Sequence, residues 1–137
     1  METLEEMLIR HEGLKFKPYL CSAGKLTIGI GRNLDSKGIT KQEAMYMFYN
    51  DIEECERDLI NRVFQGIFFD FPKTIQNVLL NMRFQLGQDG FRGFRKMIAA
   101  FKKKDYEKAI SEMIDSQWYN QTTNRANDLI KIVRSEI

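Results

Sequence analysis

Apolar residues recur at helical spacing along most of this chain, and at strand-like spacing in one short stretch near its start. Leu4, Met7, Leu8 and His11 fall at i, i+3, i+4 and i+7, which predicts a helix with one apolar face ending near Gly13. From Lys15 to Tyr19 and again from Lys25 to Gly31 the residues alternate or favour strands. Pro18, Ser22 and Gly24 mark turns between them, so a small sheet of two or three strands is expected. Thr40 with Glu43 three residues later forms a capping box, and a helix should start at Lys41. Its apolar positions Ala44, Phe48, Ile52, Cys55, Leu59 and Val63 recur at spacings of three and four with no Gly or Pro. That predicts one long helix of roughly 30 Å at 1.5 Å per residue. A helix of that length after a small sheet reads as a strut between two lobes.

The segment from Phe64 to Phe71 breaks the pattern and is expected to pack as a turn. Asp70 is expected to cap a new helix, with Pro72 in its first turn, where a missing N–H costs little. Ile75, Val78, Leu79, Met82 and Leu86 give that helix an apolar stripe ending at Gly87; Phe84 and Gln85 lie off the stripe. Three shorter helices follow, one on Phe94, Met97, Ile98 and Phe101, one capped by Asp105, and one on Ala126, Leu129, Ile130 and Val133.

Composition narrows the class. At 137 residues and 43% hydrophobic content the chain is the size of one compact soluble domain. The 21 Lys and Arg against 19 Asp and Glu leave a net charge of +2, too small for affinity to rest on bulk electrostatics. No window approaches the roughly 18 apolar residues of a membrane span, so stable membrane association is not expected. The start METLEEMLIRHEG is acidic and amphipathic, unlike a signal peptide. Cys21 and Cys55 have no metal-like spacing and are expected as free thiols. With a single His in the chain, no metal and no cofactor are expected. The run from Arg92 to Lys104 holds six basic residues and no acid. A solvated helix face is its ordinary meaning. No nucleic-acid motif accompanies it, so nucleic acid ranks low as a partner, and a polyanionic cell wall would suit it equally well.

Candidate chemistry concentrates between Glu12 and Arg32. Glu12 stands at a helix C-terminus, where the negative end of the dipole favours the protonated form that a general acid needs. A solvated surface Glu is the bland reading of that helix alone. Cys21 and Thr27 follow in the hairpin region. Gly29 and Gly31 suggest close backbone approach to a neighbour or ligand, since a lone Gly-x-Gly is weak evidence for a phosphate loop. Farther on, SQWYNQTTNR at 116–125 groups the one Trp with amides, a composition that suits sugars. Trp118 itself reads more naturally as a core residue.

Taken together, EGLKFKPY, TIGIG, ITKQEA, NMRFQLG and WYNQTTNRA resemble the phage-type lysozyme family, the muramidase endolysins of tailed bacteriophages. The resemblance runs from Glu6 to about Val133, with the elements in the family's order. It implies an α+β, mainly α, lysozyme-like two-lobed fold in a single domain over 1–137. The small β lobe would span about 13–39, the connecting helix about 41–62, and the helical lobe about 63–137 plus the N-terminal helix. It also implies hydrolysis of the β-1,4 bond between N-acetylmuramic acid and N-acetylglucosamine. Glu12 matches the general acid and Thr27 the threonine that helps hold the attacking water, while Cys21 falls where the second catalytic residue belongs, a place that many relatives fill with Asp and some with Cys. Cys21 would either position water together with Thr27, the favoured reading, or attack the anomeric carbon itself. Gly31, Phe84, Gln85 and Gln121 match saccharide contacts, with Asn120 and Asn124 beside them. Arg125 matches the arginine that pairs with the catalytic glutamate, and Arg32 faces Asp51 in an expected salt bridge. Gln117 stands where a relative carries Arg, which weakens one saccharide contact. A lytic transglycosylase and a non-catalytic peptidoglycan-binding module are the competing classes. The implied partner is bacterial peptidoglycan, acted on by a monomer. It would be made in the host cytoplasm without a signal peptide and released to the periplasmic wall by a holin.

Overall fold

The computed structural model describes residues 1–137 and divides by its internal contacts into two compact units, Met1–Met47 and Phe48–Ile137. The class is α+β and mainly α, with the sheet in the first unit and a helical second unit, the lysozyme-like arrangement of elements.

The first unit begins with α1 (Leu4–Glu12), whose N-cap Thr3 accepts the Glu6 amide at 3.1 Å. Gly13 closes the helix at φ +81°, a left-handed value that a Cβ would disfavour, and its N–H donates to Ile9 O at 2.8 Å. Within this unit α1 buries none of its residues. Three antiparallel strands follow in the order β1 (Lys15–Leu20), β2 (Leu26–Gly29) and β3 (Arg32–Asn33). Pro18 does not mark a turn as its residue type suggested; it lies inside β1, where the register shifts between Lys15 and Tyr19. β1 is an edge strand, and a residue without an N–H is tolerated there. The hairpin is fastened by Asp35, whose carboxylate accepts the Leu26 amide at 2.7 Å.

α2 (Lys41–Asp58) starts where the capping box placed it. Thr40 Oγ1 accepts the Glu43 amide at 3.1 Å and Glu43 Oε1 accepts the Thr40 amide at 2.9 Å. The long helix continues to Val63, but its last stretch, Leu59–Val63, is a π turn, closed by Phe64 N–H on Leu59 O at 2.9 Å. One extra residue is thereby accommodated in the turn.

The second unit's core gathers the buried face of this helix with a 3₁₀ helix (Gln65–Asp70), α3 (Lys73–Arg92), α4 (Arg95–Lys102), α5 (Tyr106–Ile114), α6 (Gln117–Gln121) and α7 (Thr123–Arg134). Phe64, Phe71, Phe91 and Phe101 form its centre in edge-to-face contacts. Of the predicted stripe, Ile75, Val78, Leu79 and Met82 are fully buried and Leu86 is half-buried against the core. Asp70 makes no cap for α3: it ends the 3₁₀ helix instead, and Pro72, with extended ψ, is the residue before the first turn. The 3₁₀ turns consume the residues through Asp70, which leaves it two positions short of the cap. Gly87 does interrupt α3, at φ +75° and ψ 178°, after which the chain resumes helix to Arg92. Asp105 caps α5 through the Lys108 amide at 3.1 Å. The short α6, which the apolar pattern did not reveal, is capped by Ser116.

Below this core lies a buried charge cluster. Arg83 Nε donates to Asp58 Oδ2 at 2.7 Å, and Arg92 Nη2 donates to Asp58 Oδ1 at 2.7 Å. Asp58 and Arg83 are only 6% and 5% exposed. Burial is the strongest single influence on Asp58 and acts to raise it, but the bonds from Arg83 and Arg92 together outweigh it and hold the carboxyl below the ordinary aspartate range.

Candidate active site

In the first unit the helix end and the sheet bring the reactive groups together in two pairs. Glu12 is the last residue of α1, and its carboxyl lies on the backbone of Gly31 in the β2–β3 turn. A Cβ on Gly31 would come within 2.5 Å of Glu12 Oε2 and 2.9 Å of Cδ. Gly31 also has φ +69°, so the position excludes side chains twice over, by conformation and by contact. Gly29, read from sequence as a second close approach, has nothing within 4 Å of a built Cβ; its φ of +68° is the reason for glycine there.

Cys21 and Thr27 make the other pair. Thr27 is 3% exposed in the middle strand, opposite Tyr19 of β1 and Asn33 of β3, and its hydroxyl donates to Lys25 O at 2.8 Å. The half-buried Cys21 starts the hairpin turn, its N–H donating to Lys25 O at 2.9 Å and its carbonyl accepting from Gly24 at 2.8 Å. The turn wraps backbone around the sulfur. The Lys25 backbone first, then that of Ala23, pull the thiol below a free cysteine's value against a smaller desolvation effect. The other thiol, Cys55, is free as well, but buried and pushed upward by desolvation.

Arg32 departs from expectation. Rather than pairing with Asp51, it forks onto Glu43, with Nη1 to Oε1 at 2.8 Å and Nη2 to Oε2 at 2.7 Å, and Nη1 also reaches Gly38 O at 3.1 Å. Glu43 already has its carboxylate fixed by the capping box, so a pre-oriented acceptor lies within the same unit. The pairing with Arg32, helped by the Thr40 amide, pulls the Glu43 carboxyl down to about 2. Sequence reading used Glu43 only as a cap. Its second role was visible in retrospect as the acid nearest Arg32 on the following helix.

The remaining candidates sit in the second unit. Gln85 Oε1 accepts the indole N–H of Trp118 at 2.9 Å, which fixes the amide and confirms Trp118, 5% exposed, as a core residue. Phe84 is 42% exposed and meets Phe48 edge-on at 5.8 Å. Asn120, Gln121 and Asn124 are exposed, and their side-chain amides make no hydrogen bond within the protein. Gln121 lines a concavity of about 650 Å³ together with Phe94, Gln117 and Trp118. Arg125 is held by Asn81, with Nε to Oδ1 at 2.9 Å and Nη2 to the carbonyl at 3.4 Å. Asn81 carried no sequence signal. Asp51 is exposed and borders a small hollow with Glu54, Cys55, Arg83 and Phe84.

Residues 9–135 match the family described as phage lysozyme. The chain is 30% identical to the pre-baseplate central spike protein Gp5 of Enterobacteria phage T4, over 96% of this chain and 27% of that protein. It spans about a quarter of that relative's length. It is also 26% identical to the probable T4-type lysozyme 1 of Dictyostelium discoideum, over 98% of this chain and 95% of the relative, and 26% identical to the probable T4-type lysozyme 2 of the same organism, over 96% and 94%. With the family matched over nearly its whole length and its elements in the same class of fold, the chain belongs to the phage lysozyme family.

Proposed function

We propose that the chain hydrolyses the β-1,4 bond between N-acetylmuramic acid and N-acetylglucosamine, with Glu12 as general acid and Cys21 and Thr27 positioning water. One observation carries the reading: a carboxyl at a helix end seated on Gly31, where a Cβ would displace it, at the far end of the strand that carries Thr27, with Cys21 in the hairpin turn that leads into that strand. Glycoside hydrolysis needs an acid for the leaving oxygen and a group that steers water to the opposite face of the sugar. Glu12, exposed at the end of α1, is free to meet a glycosidic oxygen.

The hydroxyl of Thr27 spends its single proton on Lys25 O, so any further hydrogen bond it makes is one it accepts. The sulfur of Cys21 is likewise an acceptor, though a weak one. Water held by two acceptors gives up both protons to them and keeps a lone pair for the anomeric carbon. Single displacement with inversion is the proposed course, in preference to attack by sulfur. Gly31, Phe84, Gln85, Asn120, Gln121 and Asn124 are the proposed saccharide contacts, and the three unengaged amides offer the paired donors and acceptors that hydroxyls require. The proposed setting is the periplasmic wall, reached with the help of a holin. No helix is long and apolar enough to cross a membrane.

Digestion of purified peptidoglycan tests this directly. The expected product is a reducing muramic acid in the α-anomer by NMR. A retained β-anomer would sink the water-positioning role, and an anhydro-muramyl product, lighter by one water, would replace hydrolysis with transglycosylation. Glu12→Gln should abolish product while leaving the circular dichroism spectrum unchanged; near-normal turnover would refute the acid assignment.

A further inference from the structure

The concavity of about 650 Å³ that Gln121 lines takes charges of both signs from two helix ends. The first turn of α4 supplies Arg95 and Lys96, while the last turn of α5 and its C-cap supply Glu112 and Asp115. Each pair stands at the helix end that disfavours its charge, cations at an N-terminus and carboxylates at a C-terminus. Local misfits of this kind mark positions kept for function. The two pairs also leave each other alone. Glu112 meets only Lys108, at 3.2 Å, and Arg95, Lys96 and Asp115 have no charged partner within ion-pair distance, although all three are exposed around one hollow. Leu86, Met97, Phe94 and Trp118 add apolar lining, the two rings meeting edge-to-face at 6.0 Å. Burial of Met97, Ile98 and Phe101 fixes α4, so its cations are displayed on a rigid element.

We propose that this hollow distinguishes uncross-linked from cross-linked stem peptides of the wall, by holding the free amino-acid centre at the end of a diaminopimelate side chain; the proposal rests on the muramidase reading. That centre carries one ammonium and one carboxylate on a single carbon, joined to the peptide by methylenes. The ammonium meets Asp115 and Glu112, the carboxylate meets Arg95 and Lys96, and the methylenes lie on the apolar lining. The pattern of charge decides among ligands. A simple anion faces two acids, a simple cation faces two bases, and a neutral saccharide leaves all four charges unanswered. Only a zwitterion answers both pairs. Position agrees with chemistry, because Gln121 is also a proposed saccharide contact and the stem peptide branches from the muramic acid of the same glycan. Cross-linking acylates the amine and removes its charge, so glycan flanked by free stems is the preferred substrate.

The test titrates the full chain, followed by NMR, with the diaminopimelate tetrapeptide of the wall and with the same peptide acetylated on its free amine. The free peptide should shift the amides of Gly93, Lys96 and Asp115. Acetylation should weaken binding about 5-fold, the upper range for one exposed ion pair. Asp115→Asn, at an exposed residue outside any ion pair, should weaken binding of the free peptide by the same factor. The two losses should not add, so the variant binds both peptides alike. On soluble glycan strands the parent's kcat/KM should fall by a similar factor when the stems are acetylated, and the variant's should not. Peptide binding needs no catalysis, and turnover of strands stripped of their stems by the parent reports on the muramidase reading by itself. The proposal is overturned if the three amides do not move or if the acetylated peptide binds the parent as tightly as the free one. It is equally overturned if Asp115→Asn still separates the two peptides, or if a lysine-containing stem, which keeps the ammonium and lacks the carboxylate, binds as tightly as the diaminopimelate stem.

Discussion

Two glycines two residues apart allow conformation and contact to be separated at the proposed acid. Gly29 and Gly31 have nearly the same backbone, φ +68° and φ +69°, so an alanine at either should cost about 1–2 kcal/mol of folding free energy for holding an L residue in the left-handed region. Only at Gly31 does the new Cβ meet anything. Its distance to Glu12 Oε2 would be 2.5 Å against an ordinary contact of 3.4 Å or more, which demands a displacement of about 1 Å. The side chain of Glu12 is exposed and can swing away, so the clash should add less than about 1 kcal/mol to the loss of stability. Its effect on chemistry should be far larger. Misplacing a catalytic group by about 1 Å can cost about 100-fold in rate. Urea denaturation of Gly29→Ala and Gly31→Ala should therefore give similar losses, while kcat for release of reducing ends from peptidoglycan falls about 100-fold in Gly31→Ala alone. Equal activity losses in the two variants, or full activity in Gly31→Ala, would refute the placement of the carboxyl on Gly31 as the basis of its function.

Removal of the shared carboxylate in Asp58→Ala should strand the buried Arg83 and cost about 3–5 kcal/mol in chemical denaturation, and a loss under about 1 kcal/mol would mean that the cluster is not an ion pair in solution. Because the Asp58 carboxyl is depressed in the folded state, its contribution is complete above the unfolded aspartate value of about 3.9 and is lost as pH falls through the lower folded value; the parent should therefore approach Asp58→Asn in stability below about pH 4. Glu43, held at about 2, follows the same sign, with its pairing intact above about pH 4 and lost toward pH 2. In Arg32→Gln its titration by NMR should move up toward the ordinary carboxylate range, and an unmoved midpoint would show that the fork with Arg32 is absent. Iodoacetamide at neutral pH should label Cys21, whose thiol is drawn downward, well before the buried Cys55, and mass spectrometry finding both labelled together in the native protein would contradict the two environments.

The parts of the fold legible in sequence were those decided within a few residues. Thr40 with Glu43 and Asp105 with Lys108 satisfy helix amides three positions away, and both caps are where the sequence put them. Apolar spacing likewise located the buried stripe of α3, since burial on one face is a property of a single helix. Partnerships across the chain were not legible. Asp58 and Arg83 are 25 residues apart, and Asn81 and Arg125 are 44 apart, with nothing local to announce either pair. For Arg32 the chosen partner was wrong because several acids lie on the following helix, and only the turn of Glu43 toward the sheet selects among them. At the candidate site, the residue types and order came from sequence and resemblance. The pairing of Cys21 with Thr27 and the seating of Glu12 on Gly31 depend on the sheet register, which the misassigned Pro18 shows was not readable in detail.

The π turn at Leu59–Val63 also fixes how this helix can vary by insertion and deletion. A π turn is an α-helix carrying one residue too many, and removing a residue such as Asn61 would restore the ordinary repeat without breaking the helix. Phe64 N–H reaches Leu59 O across five residues, and with one of them removed the same bond would span four, the ordinary helical repeat. Cys55, Asp58 and Leu59 before the turn and Val63 and Phe64 after it would therefore keep their buried faces. The turn absorbs a surplus residue locally and spares the packing on either side. Relatives are expected to differ by one residue in this segment while keeping the buried positions that flank it.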